Sequence, residues 1–221
     1  MVSLIERCDV PDLPISTAVR VLDALDVEID LRLAVPTGGG RQRDAAHARC
    51  VAYVARRLES HGFRVAAEVP IVHGRWHGFI DVLAYHPVDR LLVILEVKTE
   101  LPDIGAMDRQ LGMAERCAWD AAHRLGWRPR SATSALLLLS TDENDRRLSA
   151  NGSWFNRRFR VRAREINRLL SDPARTPERG VRGLAMFDPR SRRSIWVRAT
   201  WLDGRRTPAS YRDRTDYLRR R

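Results

Sequence analysis

The sequence predicts an α/β protein built on a mixed β-sheet, and three observations carry that expectation. Between residues 41 and 140 the apolar periodicity runs helix, strand, strand, strand, helix, strand. Two hairpin signals, Gly74-Arg75 and His86-Pro87-Val88-Asp89, join the three consecutive strands. Ala135–Leu139 is then a short continuous apolar run, the pattern of a strand covered on both faces.

Each element follows from its residues. Val51, Val54 and Leu58 form the apolar stripe of a first helix over about Asp44–His61, and Gly62 stands where a C-terminal glycine belongs. Phe63–Val72, Phe79–Tyr85 and Leu91–Thr99 read as strands. Pro102-Asp103 opens a second helix whose face is Ile104, Met107, Leu111 and Ala114 and which closes near Gly126. Thr141–Leu170 is helix-prone and rich in arginine. Beyond it, Gly183–Phe187 and Ser194–Thr200 flank a turn at Asp188-Pro189, a hairpin, and the tail from Arg205 to Arg221 reads as loosely held. Upstream, Val19, Leu22 and Leu25 form one face of a helix over Ser16–Leu25. Val27, Ile29, Leu31 and Leu33 alternate with polar residues as a strand does, and residues 36–40 have linker composition. The expected division is a helical N-terminal fragment over 1–35, a core over 41–140, and a basic α+β extension over 141–221.

A chain of 221 residues with 44% hydrophobic and 30% charged residues can bury a core of its own. No apolar run approaches the roughly 20 residues of a membrane span, and no signal-peptide pattern precedes the first charges, so no membrane partner and a cytoplasmic location are expected. Cys8, Cys50 and Cys117 are isolated and odd in number, which suits reduced thiols. The net charge of +11 is unevenly placed: residues 141–221 hold 22 Arg against 10 Asp+Glu, and the first 140 are close to neutral. A basic end on a neutral body points to a polyanion partner, DNA above all. Arg157, Arg158, Arg160, Arg162 and Arg164, with Trp154 beside them, suit phosphate contacts and base stacking. The oligomeric state stays open, and a homodimer is compatible with the sequence.

One cation differs from all the others. Lys98 is the only lysine; every other Lys+Arg position is arginine. An ammonium is a compact charge with a tunable pKa, whereas a guanidinium is a planar fork that keeps its proton. If the two hairpins close at the turns named above, Glu68 faces Asp81, Asp81 faces Glu96, and Lys98 shares their face two residues beyond Glu96. Like charges directly opposed on a sheet are destabilising, so three carboxylates roughly 5 Å apart call for a cation between them. A hard divalent ion, Mg²⁺ or Mn²⁺, with Lys98 beside it, would resolve the conflict.

Gly78-Phe79-Ile80-Asp81-Val82 followed by Leu92-Val93-Ile94-Leu95-Glu96-Val97-Lys98, on an αβββαβ order, resembles the PD-(D/E)xK superfamily of restriction-endonuclease-like nucleases over about 41–140. The resemblance implies Asp81 and Glu96 as metal ligands, with the Val97 carbonyl as a further one, and Lys98 as the catalytic lysine. Family members carry an upstream acid on the first helix or first strand; Glu59 and Glu68 are the respective candidates, and the register favours Glu68. Gln110 falls where some members carry an accessory polar residue. The activity implied is Mg²⁺-dependent cleavage of DNA phosphodiester bonds. The alternative is a non-catalytic DNA-binding regulator that uses the nuclease fold as a scaffold.

Ser3-Leu4-Ile5-Glu6-Arg7, then Leu13, Ile15, Val19, Val21-Leu22 and Ala24-Leu25-Asp26-Val27, resembles the back half of an XRE/lambda-repressor-like helix-turn-helix, with Cys8 and Asp26 where that family has glycines. The front half of such a motif would lie before Met1, so the segment is expected to be either a remnant that cannot read a major groove alone or the back half of a complete motif that begins upstream. His73 and His77 are four apart without thiolate partners and read as exposed loop histidines rather than a zinc site.

Overall fold

The computed structural model describes residues 14–24, 39–74, 76–173, 181–203, 205 and 207–220. The chain divides into two compact units, Met1–Gly40 and Arg41–Arg221. In the first, the helical face read at Ser16–Leu25 corresponds to helix α1, Ile15–Asp23. The Ser3–Arg7 segment, the alternating stretch from Val27 and most of the linker lie outside the described residues.

The second unit is mixed α/β around one seven-stranded sheet. Helix α2 (Gly39–Glu59) leads into strands β1 (Arg64–His73), β2 (Trp76–His86) and β3 (Leu91–Lys98). Helix α3 (Ile104–Arg124) and β4 (Ser131–Leu139) follow, then α4 (Asp142–Ala150), α5 (Gly152–Arg158), β5 (Phe159–Arg162), α6 (Ala163–Ser171), β6 (Arg182–Phe187), β7 (Val197–Arg198) and α7 (Arg214–Arg219). The strand order is β1-β2-β3-β4-β6-β5, with β7 also on β6. The pairs β1–β2, β2–β3 and β6–β7 are antiparallel; β3–β4, β4–β6 and β5–β6 are parallel.

Local chemistry sets the boundaries. α2 ends in a Schellman turn: Gly62 sits at φ +84°, its N–H bonds to the Glu59 carbonyl, and the Phe63 N–H reaches the Leu58 carbonyl. α3 ends the same way at Gly126, φ +75°. At its start, the Asp103 carboxylate accepts the Ala106 N–H at 2.8 Å. Pro70, which cannot donate to a ladder, is tolerated because β1 is an edge strand.

The sheet is covered on both faces. On one, Leu91, Val93, Leu95 and Val97 of β3 join Ala46, Cys50, Val54 and Leu58 of α2 and Ile166, Leu169 and Leu170 of α6. On the other, Leu92 and Ile94 meet Ala114, Ala118 and Ala121 of α3, while Leu136 and Leu138 of β4 meet Met107, Leu111, Leu148 and Phe155. A fully buried side chain of this size contributes roughly 1.5–3 kcal/mol, so burial on both faces holds the central strands.

Two expectations about the C-terminal part change. The helix-prone reading of Thr141–Leu170 is interrupted by β5, because Phe159 and Val161 are buried against the parallel edge of β6. The tail is not loosely held. The Ser210 N–H donates to the Ser140 carbonyl at 3.1 Å, the Asp142 N–H to the Tyr211 carbonyl at 2.9 Å, and the Tyr211 hydroxyl to Asp188 Oδ1 at 2.7 Å. Tyr211 and Tyr217 are buried under the Arg190 guanidinium, an aromatic anchor that composition concealed behind its arginines. Among the described residues, no helix is long and apolar enough to cross a membrane. Cys50 and Cys117 are free and buried, and burial pushes the Cys50 thiol up to about 12.

Candidate active site

The hairpin turns set the site. β1 and β2 close at His73↔Trp76 around Gly74, which has φ +59°, and β2 and β3 close at His86↔Leu91. The resulting registers run Val69↔Ile80 and Ala67↔Val82 in one ladder and Val82↔Leu95 in the other. Continued by one step, they set Glu68 opposite Asp81 and Asp81 opposite Glu96.

The ladders open at this level. β2–β3 pairing stops at Val82↔Leu95, and the Glu68/Asp81 pair drops out of β1–β2. Both strands change phase there. Val65 and Val82 pack on the α2 face, whereas Val69, Ile71 and Ile80 pack on the α3 face, without the alternation that would link them. Glu68 takes up the kink with φ +50°, a left-handed conformation that costs a non-glycine residue roughly 1–2 kcal/mol. Glu68→Gly should therefore hold or raise stability by about 1 kcal/mol, the strain relief offsetting the added chain entropy, whereas Glu68→Ala should not. Paired urea melts check this.

The opening lets the Asp81 side chain reach the next strand, where Oδ2 accepts the Val97 N–H at 2.8 Å. Lys98 Nζ lies 3.7 Å from the same oxygen, makes an ion pair with Glu96 Oε1, and donates to Gln110 Oε1 of α3 at 3.4 Å. From the opposite face, His47 Nε2 of α2 lies 3.4 Å from Asp81 Oδ1. Asp81 is thus held by α2 and by β3, and Gln110 of α3 reaches it only through Lys98.

Glu96 is the anomaly. It is 0% exposed, and neither carboxylate oxygen has a hydrogen-bond donor. The Lys98 ammonium, in ion-pair contact with Oε1, is the one cation the acid touches among the described residues. Burial, reinforced by the Asp81 charge and only partly offset by Lys98, pushes the Glu96 carboxyl up to about 7. Burial pulls Lys98 down, but Glu96 and Asp81 together raise it above its ordinary value and keep it charged. His47 is raised chiefly by its contact with Asp81, with burial opposing.

The site opens into a cleft of about 610 Å³ whose wall includes His47, Glu68, Asp81, Arg109 and Gln110, with Phe79 of the β1–β2 hairpin at its rim. Asp81 is on this wall, and the Glu96–Lys98 pair lies behind it. Glu68 is exposed in the cleft; Glu59 is on the last turn of α2, 12 residues or about 18 Å along the axis from His47. Among the described residues, no group of three or more His, Cys, Asp or Glu side chains is arranged to hold a metal ion. His73 and His77 are both exposed, and His77 lines the cleft.

The arginine run is dispersed. Arg157 and Arg158 end α5, Arg160 and Arg162 lie in β5 and Arg164 is in α6. Trp154 packs edge-on against Phe155 and belongs to the core rim. Arg162 donates to Asn156. Only Arg157, Arg158 and Arg160 share a groove, and it lies on the other flank of α3 from the cleft.

Two further side chains join the site: His47 contacts Asp81, and Gln110 accepts from Lys98. The signal for Gln110 was its phase on α3, adjacent to Met107 and Leu111. His47 had no such local signal, because only the packing of α2 brings it to Asp81. The sequence matches no protein-family model and no curated protein.

Proposed function

We propose that this chain is a divalent-metal-dependent deoxyribonuclease with a restriction-endonuclease-like core. The observation that carries the reading is Glu96: a fully buried carboxylate whose one polar contact among the described residues is the ion pair from the only lysine to Oε1, beside Asp81 and behind a cleft. A buried, incompletely compensated charge is a stability defect that folding alone gives no reason to keep. Such perturbed groups concentrate at functional sites.

The donor set fits a hard cation. Mg²⁺ binds through one or two carboxylates and fills its remaining positions with water and substrate phosphate, so Asp81 and Glu96, with the Val97 carbonyl, would hold it without a larger protein cage. When bound, the ion would supply charge compensation, a water of lowered pKa and screening of the phosphodiester. Lys98 then orients the attacking water or stabilises charge on the scissile phosphate. The Val97 N–H and His47 hold Asp81 in one orientation, which makes His47 a positioning residue. Glu68, exposed on the cleft wall, is the upstream acid of this set, and Arg109 meets the incoming backbone.

The second reading is a non-catalytic DNA-binding regulator on the same scaffold, and the Lys98–Glu96 contact favours it, since the lysine occupies the side of the acid that a metal would need. Plasmid relaxation separates the two. The wild-type protein should nick supercoiled DNA in Mg²⁺ or Mn²⁺ and not in EDTA, and His47→Ala should slow it with its KM little changed. DNA binding without cleavage in any divalent metal would leave the regulator standing.

A further inference from the structure

A second groove of about 680 Å³ lies along α3, on the flank opposite the cleft. At 100° per residue, Ala106, Arg109 and Gln110 face the cleft, and Asp108, Glu115 and Trp119 lie about half a turn round the helix. The groove is lined by Arg130, Arg157, Arg158, Arg160 and Arg182 against one carboxylate, Glu115, with the indole of Trp119 among them.

These groups are not equivalent. Arg182 is anchored, pairing with Asp108 and donating to Glu115 Oε1 at 2.8 Å, and Arg158 pairs with Asp108 at 2.5 Å. Ser134 donates to the same Glu115 carboxylate at 2.5 Å. This network ties β6 and α5 to α3 and consumes the acidic charge of the groove. Arg157 and Arg160 are exposed and take no part in it, and Trp119 leaves 37% of its surface open. An aromatic face between uncommitted cations, above a floor carrying the Ser131 and Thr133 side chains, is chemistry for a phosphate-linked aromatic ring.

We infer that this groove binds a single-stranded segment of DNA, with an unpaired base on Trp119 and the adjoining phosphates on Arg157 and Arg160. Its volume is on the scale of a small-ligand pocket, roughly 300–1,000 Å³, which suits one or two nucleotides. In a duplex the bases are already stacked, so Trp119 would gain nothing. The inference takes its ligand class from the nuclease reading and extends it: the substrate carries a single-stranded stretch beside the bond presented to the Asp81 cleft.

The test measures binding apart from cleavage. Fluorescein-labelled 12-nucleotide single strands and the matching blunt duplex are titrated in EDTA, followed by anisotropy at several salt concentrations. The single strand should bind at least tenfold more tightly than the duplex. Trp119→Ala should weaken single-strand binding by about fivefold or more, from roughly 1–3 kcal/mol of stacking per base, and leave duplex binding unchanged. Arg157→Gln/Arg160→Gln should lower the salt slope for the single strand by about 1.4. Arg164→Gln, exposed outside the groove, is the control for a general charge effect. Equal affinity for both DNA forms, or a Trp119→Ala protein that holds the single strand as well as wild type, overturns the inference. Trp119-dependent single-strand binding without cleavage in Mg²⁺ upholds the groove and removes the nuclease; duplex cleavage insensitive to Trp119 does the reverse.

Discussion

Replacing Lys98 by alanine should cost the fold about 3–5 kcal/mol well above pH 7 and much less near pH 5. The Lys98 ammonium is the cation that touches Glu96 and lies 3.7 Å from Asp81. Its removal leaves a fully buried carboxylate uncompensated, and breaking a buried pair from one side is far more costly than replacing both members. The pH dependence follows from Glu96. A carboxyl raised to about 7 contributes its full stability below its ordinary pKa, where it is neutral in both states, and loses it as pH rises through the folded value. Without Lys98 the folded carboxyl is raised further, so the loss starts at the same ordinary value, continues to higher pH and is larger. Glu96→Gln/Lys98→Met, which removes both charges together, should recover most of the deficit. Urea unfolding at the two pH values checks all three proteins; a Lys98→Ala protein as stable as wild type above pH 7 would mean that the pair is solvated. A catalytic assay of Lys98→Ala alone therefore mixes lost chemistry with lost fold, and the double variant is the needed comparison.

Glu96→Gln should do the opposite to stability while removing activity. The amide keeps the shape and carries no charge, and Lys98 is not orphaned because Asp81 stays 3.7 Å from its Nζ. A carboxyl raised to about 7 is net unfavourable when ionised in the fold, so removing it should gain about 1–3 kcal/mol above pH 7 and nothing near pH 5. Its metal-dependent nicking should fall on the order of 10³-fold, the scale on which charge stabilisation in a closed site is lost. Chemical denaturation and plasmid relaxation on the same preparation test the pair of effects. Greater stability with undiminished nicking would remove Glu96 from the chemistry; lower stability would mean that the Glu96–Lys98 pair is a net structural asset.

Much of the site was legible in the sequence because strands repeat every two residues and the turns count residues. Gly74 marks one hairpin and His86–Asp89 the other, and those two turns align Glu68, Asp81 and Glu96 without any tertiary information. The same reasoning could not see that the aligned level would be where the ladders part. The left-handed Glu68 and the reach of Asp81 to the Val97 N–H are strains that only the packing of two helical layers can impose. The arginine-rich stretch shows the other side of the same limit. Its composition is helix-like, but Phe159 and Val161 find a better burial on the edge of β6, and the chain becomes a strand there.

The sequence by itself determined the α/β class, the order of elements through β4, the parity that aligns the acids with Lys98, and the glycines that end α2 and α3. These are local properties, set by periodicity, capping and turn geometry within a few residues. Only the tertiary structure decided that Glu96 is entombed while Glu68 stays exposed, that His47 meets Asp81 from one layer and Gln110 meets Lys98 from the other, and that Trp119 shares a groove with arginines distant in the chain. Burial and long-range electrostatics depend on which faces meet, and the single lysine acquires its significance from that meeting: it is seated against a charge that water cannot reach.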